Sequence, residues 1–244
     1  MPHRLNILAA LVAAVAVAAL TPPVHAAANE DDDARMTVVA DFNRDGIADI
    51  AQVLPGDGSE PATLKISLGN ASGGFRLLSS ALELGRTPKA IAAADFNGDG
   101  IPDLVIGDDD GSLKLFLGDG TGNFAPAPDV ARLDSVVSIA VADFNGDGRP
   151  DIAVSDWRAG SVTVFLGTGK GGFRLGWLFR LPIPGTVARV SAADFNGDGN
   201  PDLAIIYGDG DQYTFDVMLG DGKGTFVHSP KLSFTRDPNS HCPA

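Results

Sequence analysis

One nine-residue aspartate-rich segment occurs four times in this chain, and no other feature restricts its fold as strongly. It reads DFNRDGIAD from Asp41, DFNGDGIPD from Asp95, DFNGDGRPD from Asp143 and DFNGDGNPD from Asp194, at spacings of 54, 48 and 51 residues. A glycine-rich signature trails each copy: LGNASGGF from Leu68, LGDGTGNF from Leu117, LGTGKGGF from Leu166 and LGDGKGTF from Leu219. Each repeat therefore carries two tight turns. A period of this length marks stacked copies of one supersecondary unit, each too small to bury its apolar face alone.

Between the turns the side chains alternate, as in Leu64, Ile66 and Leu68 against Lys65 and Ser67, or Leu113, Leu115 and Leu117 against Lys114. Period two means strand. A run of small and β-branched residues precedes each aspartate loop, such as 136–142 or 187–193, and a buried-looking strand such as 151–154 follows it. The unit is strand A, aspartate loop, strand B, connection, strand C, glycine hairpin, strand D, which is the size of a propeller blade. Ala-rich A strands, with Ala92 to Ala94 and Ala192 to Ala193, suit the crowded axis where blades converge. The expected fold is all-β, a β-propeller of four four-stranded blades over 36–84, 85–133, 134–183 and 184–235. Four blades is the low end for a closed ring, and no spare strand laces the last blade to the first. The alternative is a partial propeller completed by a second copy, a homodimer of eight blades, and a two-sheet sandwich ranks third.

The aspartate loop supplies hard oxygen donors in order, which is what Ca²⁺ takes. Position 1 is Asp41, Asp95, Asp143 or Asp194; position 3 is Asn43, Asn97, Asn145 or Asn196; position 5 is Asp45, Asp99, Asp147 or Asp198. Glycine at position 6 permits the sharp turn. Position 7 offers a backbone carbonyl, from Ile47, Ile101, Arg149 or Asn200, and position 9 is Asp49, Asp103, Asp151 or Asp202. Asn-Gly and Asp-Gly are also ordinary hairpin residues, but turn chemistry alone does not call for three carboxylates at 1, 5 and 9 in every copy. EF-hand and dockerin loops need an acid at position 12, and here that position is Gln52, Ile106, Val154 and Ile205. Up to four Ca²⁺ per chain are expected.

The two signatures together resemble the FG-GAP/VCBS repeat, the blade unit of integrin α-subunit propellers and of many bacterial secreted proteins. The resemblance covers about 200 residues of the 244. It implies a β-propeller stiffened by calcium loops, with roles in adhesion and in glycan or protein recognition. The first repeat departs most, with Arg44 where the others have Gly, Ala48 where they have Pro, and Asn70-Ala71 altering the glycine spacing.

Residues 1–26 read as a signal peptide: Arg4 precedes an apolar run over 7–20, too short to span a bilayer, and Val24-His25-Ala26 offers a cleavage site. Residues 27–35 form a charged lead-in and 236–244 a tail. The lone Cys242 has no intrachain partner. A secreted or periplasmic location is expected, without membrane insertion. With the leader removed the charge is −14, 31 acids against 17 bases, and twelve of the acids lie in the loops. Four calcium ions would bring that to −6. No basic footprint for nucleic acid is present.

The B-to-C and D-to-A connections share the edge opposite the loops. Asp108, Asp109 and Asp110, then Asp156, Trp157 and Arg158, then Tyr207 and Asp209 fall there. Of these, Asp108, Asp109, Asp156, Trp157, Arg158 and Tyr207 are the candidate ligand-binding residues. Aromatic rings beside carboxylates make a sugar platform, although Trp157 packing between blades explains that residue as well. Trp177 is expected in the core. The favoured function is a non-enzymatic binding or adhesion module for a glycan or an extracellular protein. The rival is a secreted hydrolase or lyase, or an accessory module of one, acting on polysaccharide. Beyond the leader only His228 and His241 remain as histidines, and no nucleophile elbow or zinc motif is present.

Overall fold

The computed structural model describes residues 36–236 apart from 55, 57–59, 80, 81, 86, 183–188, 210, 211 and 231–233. The leader, the lead-in, residues 237–244 and Cys242 lie outside the described residues. Among the described residues there are nineteen strands and no helix, arranged in four antiparallel sheets. The chain is thus a four-bladed β-propeller array.

Blade 1 holds β1 (Thr37–Ala40), β2 (Asp49–Leu54), β3 (Thr63–Gly69), β4 (Phe75–Leu77) and β5 (Leu82–Glu83). Blade 2 holds β6 (Pro88–Ala94), β7 (Asp103–Asp108), β8 (Ser112–Gly118), β9 (Phe124–Pro126) and β10 (Ala131–Arg132). Blade 3 holds β11 (Val136–Ala142), β12 (Asp151–Asp156), β13 (Ser161–Gly167) and β14 (Phe173–Arg180). Blade 4 holds β15 (Arg189–Ala193), β16 (Asp202–Asp209), β17 (Gln212–Gly220), β18 (Phe226–His228) and β19 (Phe234–Arg236).

The fourth strand differs from expectation. In blades 1, 2 and 4 it is two short pieces that both pair with the third strand. Pro126 and Pro128 have no N–H to donate to the ladder in blade 2, and Pro230 interrupts blade 4 in the same way. Blade 3 keeps one continuous strand, and blade 1 divides although 75–83 carries no proline. Its register shifts where Val164 pairs Trp177 and Phe165 pairs Leu175, which leaves Gly176 as a bulge.

The first strands β1, β6, β11 and β15 lie against one another in sequence order, so the alanines meet where the blades converge. In β2 and β3 burial alternates, because blade 1 is covered on one face by blade 2. In blades 2 and 3 the strands β7, β12 and β13 are buried along their whole length, having a neighbour on both faces. Three apolar cores result, one per joint. Val38, Leu64 and Ile66 of blade 1 meet Ile91, Leu104 and Phe116 of blade 2. Leu113 and Leu115 meet Ile152 and Val154 between blades 2 and 3. Val162 and Val164 meet Leu203 and Ile205 between blades 3 and 4.

Candidate metal centres

Each aspartate loop is the A-to-B turn of its blade. Position 9 is the first residue of the second strand and pairs with the last alanine of the first: Asp49 with Ala40, Asp103 with Ala94, Asp151 with Ala142 and Asp202 with Ala193. Positions 1 to 8 therefore form the turn, exposed at positions 4 to 6 in every loop and buried at the position 2 phenylalanine in the first three.

The side chains at positions 1, 3 and 5 converge. In the second loop the Asp99 N–H donates both to Asp95 Oδ1 at 3.1 Å and to Asn97 Oδ1 at 2.9 Å, so those two oxygens face one point. Gly100 N–H donates to Asp95 Oδ2 at 2.8 Å, Ile101 N–H to Asp99 Oδ1 at 2.8 Å, and Asn97 Nδ2 to Asp99 Oδ2 at 2.9 Å. The same bonds recur in the first loop among Asp41, Asn43 and Asp45, in the third among Asp143, Asn145 and Asp147, and in the fourth among Asp194, Asn196 and Asp198. Backbone N–H donors led by that of Gly199 hold the Asp194 carboxyl below its ordinary range.

Position 7 donates its N–H to the position 5 carboxylate in every loop, which fixes its peptide at the rim. Its side chain tucks under the glycine hairpin of its own blade: Ile101 beneath Gly120, Arg149 beneath Gly169 and Asn200 beneath Gly222, each glycine at a positive φ, where a Cβ would be crowded at Gly120 and would collide at Gly169 and Gly222. Ile47 lies against Gly69, as Ile101 also does against the matching Gly118.

Position 9 has a second task that sequence did not reveal. Asp49, Asp103, Asp151 and Asp202 are each fully buried. One carboxylate oxygen accepts the N–H of position 2, from Phe42, Phe96, Phe144 or Phe195 at 2.8 to 3.0 Å. The other accepts the N–H of the hairpin glycine, Gly69, Gly118, Gly167 or Gly220, at 2.7 to 2.9 Å. The side chain staples the aspartate loop to the glycine hairpin of its own blade. Burial pushes the Asp103 and Asp151 carboxyls up to about 6, against the pull of the two N–H donors, and the carboxylates at positions 5 and 1 push them further. Burial raises Asp49 as well.

This donor set fits a hard cation. Each loop presents an exposed carboxylate at position 5, a half-buried one at position 1 and an amide oxygen around one point, with a third carboxylate behind them that keeps lone pairs beyond its N–H bonds. Among the described residues no three His, Cys, Asp or Glu side chains form a cage unaided. A cation here draws on amide, carbonyl and water oxygens too, as calcium does.

A repeated phenylalanine backs the loops. Position 2 lies against the phenylalanine that closes the glycine hairpin of the next blade: Phe42 with Phe124, Phe96 with Phe173 and Phe144 with Phe226, each pair 5.5 Å apart. Beside each pair the hairpin glycine donates to the position 2 carbonyl, Gly122 to Phe42, Gly171 to Phe96 and Gly224 to Phe144, at 2.9 to 3.2 Å. Both phenylalanines were visible in all four repeats. Their meeting across neighbouring blades was not.

The opposite edge corrects the ligand-face expectation. Tyr207 is a core residue of the joint between blades 3 and 4, and its hydroxyl donates to Asp216 Oδ2 at 2.8 Å. Burial, then that bond to Asp216, pushes the Tyr207 hydroxyl up to about 12. It is no platform because β16 runs on to Asp209 and keeps it inside the sheet. Asp108 and Asp156 are buried and serve as turn anchors. Asp108 accepts from Thr87 Oγ1, and Asp156 accepts the N–H groups of Asp134, Ser135 and Ala159. Asp109 and Arg158 reach the surface and pair across blades 2 and 3 at 3.3 Å. Trp157 sits half-buried beside them, with Nε1 buried and without a hydrogen-bond partner among the described residues. Trp177 is half-buried, packed on Phe226 and stacked on Phe179.

No curated protein is significantly similar to the chain. The family model of the FG-GAP-like repeat matches residues 41–106, 95–154 and 152–205, and that of the FG-GAP repeat matches 186–226. Such repeats build β-propeller-type modules that often serve binding or adhesion. With both signatures, the blades and these matches spanning most of its length, the chain belongs to the FG-GAP repeat family.

Proposed function

We propose that this chain is an exported, non-catalytic recognition module that holds Ca²⁺ in each of its four aspartate loops and takes a glycan or an extracellular protein as ligand. The observation carrying the calcium reading is the convergence of oxygens from positions 1, 3 and 5 in the same geometry four times over. The position 7 carbonyl and the position 9 carboxylate complete the donor set. Bound calcium would neutralise carboxylates that otherwise repel one another and would stiffen the turn against which the next blade's hairpin packs. Export rests on the apolar run over 7–20. Extracellular calcium modules bind at about 10⁻⁴ to 10⁻³ M, which makes the ions structural rather than signalling.

Metal analysis after dialysis against millimolar calcium, with melting followed with and without chelator, tests the reading. Three or four ions per chain and a melting point lowered by chelator are expected. Near-zero binding with an unchanged melt would reduce the aspartates to turn residues. A glycan array run with and without calcium tests recognition. Trp157→Ala is the variant to compare, since Asp109, Trp157 and Arg158 are the candidate ligand residues that remain near the surface.

A further inference from the structure

Among the described residues the same joint occurs three times, and one unpaired half of it stands at each end of the array. In each joint the loop side contributes the position 2 phenylalanine and the position 4 residue. Gly98 lies against the Gly169 carbonyl, Gly146 against that of Gly222, and Arg44 against Gly120. The hairpin side contributes a glycine that packs on the preceding blade, Gly122 on Leu78 and Leu68, Gly171 on Leu115 and Leu117, and Gly224 on Leu166.

At the ends both halves stand open. Phe42, Phe96 and Phe144 are 1% exposed, whereas Phe195 in the fourth loop is only partly buried and has no ring partner among the described residues. A Cβ on Gly197, at position 4 of that loop, would meet nothing. In blade 1 the hairpin glycine Gly73 also faces open space, and its N–H turns back onto the Asn70 carbonyl. Phe75, which matches Phe124, Phe173 and Phe226, is 56% exposed. No apolar core joins blade 4 to blade 1 among the described residues.

We infer that these two ends dock on each other between two copies of this chain, the loop of blade 4 in one copy receiving the hairpin of blade 1 in the other. Two such joints close a two-fold ring of eight blades, within the range propellers adopt. The occupant is set by the chain itself, because the missing partner of Phe195 is a hairpin ending in phenylalanine and the missing partner of Phe75 is a D-F-N loop. The blade 1 face is more polar than its counterparts. Thr37, Gln52 and Ser67 stand where blade 2 has Ile91, Ile106 and Phe116. That substitution keeps a separated chain soluble and makes the joint between copies weaker than those within one, so the assembly is reversible.

Molar mass measured across a concentration series in calcium-containing buffer is the test. The unaltered chain should rise to the mass of two copies. Phe75→Asp and Phe195→Asp should each stay at one copy while keeping a folded circular dichroism spectrum. An equimolar mixture of the two should recover mass, since it can form one intact joint. Leu175→Asp alters a residue 63% exposed on the outer strand of blade 3 and should leave the two-copy mass unchanged. A one-copy mass at every concentration overturns the inference. So does a two-copy mass that survives Phe75→Asp, which would mean a symmetric contact of blade 4 with itself.

Discussion

Neighbouring aspartates in one loop divide between two physical roles. Asp147 at position 5 is exposed and points into the turn, whereas Asp151 at position 9 is fully buried and accepts two backbone N–H groups. In chelator, Asp151→Ala should cost at least about 2 kcal/mol, since two buried donors lose their acceptor at roughly 1–3 kcal/mol each. Asp147→Ala should stay within about 0.5 kcal/mol, as surface changes do, yet bind one calcium fewer. Urea denaturation in chelator alongside metal analysis separates the two. Equal stability losses would erase the distinction. Arg44 is the one non-glycine residue with positive φ, 61°, among the described residues, and Gly98, Gly146 and Gly197 occupy the same position. A left-handed conformation costs an L side chain about 1 kcal/mol or more, and glycine returns roughly 0.5–1 kcal/mol of that through the freer unfolded chain. Arg44→Gly should therefore leave the melt nearly unchanged. Its effect is electrostatic: a unit charge about 7 Å from a divalent ion in water opposes it by roughly 1.2 kcal/mol, so calcium at the first loop should tighten by about sevenfold in a titration at low salt. Unaltered affinity would mean that the guanidinium is already too well solvated to be felt.

At the scale of the strand and hairpin, the joint between blades depends on where a phenylalanine sits rather than on the motif that carries it. Phe144 and Phe195 occupy the same position of the same nine-residue segment, but Phe144 is enclosed by blade 4 and packs on Phe226, whereas Phe195 borders the open end. Phe144→Ala should cost about 3–5 kcal/mol, the range for emptying an aromatic site in a core. Phe195→Ala, measured at a concentration where the chain is a single copy, should cost less than about 1 kcal/mol. Similar losses would show that the loop itself, not the neighbouring blade, sets the price of the side chain. The strand order and the two turns of each repeat were legible because alternation and fixed glycines are local signals. The split fourth strands were half legible, since Pro126, Pro128 and Pro230 are plain in the sequence while their register against the third strand is not. Tyr207 was misread because the end of β16 depends on how far β17 extends to pair with it, and that is a tertiary fact. The position 9 aspartates were legible as loop residues but not as staples, because the hairpin glycines they bind lie 15 to 20 residues further along the chain.

Over the whole molecule, the sequence left closure open, and the joints explain why. Whether blade 4 meets blade 1 depends on the angle accumulated over three packed interfaces, which no repeat encodes by itself. Charge is the other property that exists only at this scale. The twelve loop aspartates account for most of the negative excess of a chain whose formal charge is −13, and the eight at positions 1 and 5 lie in the exposed turns. Without calcium, like charges within each loop repel one another, and salt screens such exposed charges over a Debye length of about 8 Å at physiological ionic strength. Raising sodium chloride from a few millimolar to about 0.15 M should therefore raise the melting temperature of the chelated protein. With calcium bound, each loop is largely neutralised, and the same step in salt should change the melt far less. Thermal melts at both salt levels, with calcium and with chelator, give the four numbers needed. A salt response of equal size in both states would show that loop repulsion is not what destabilises the metal-free fold, and that calcium stabilises it by bridging ligands rather than by cancelling charge.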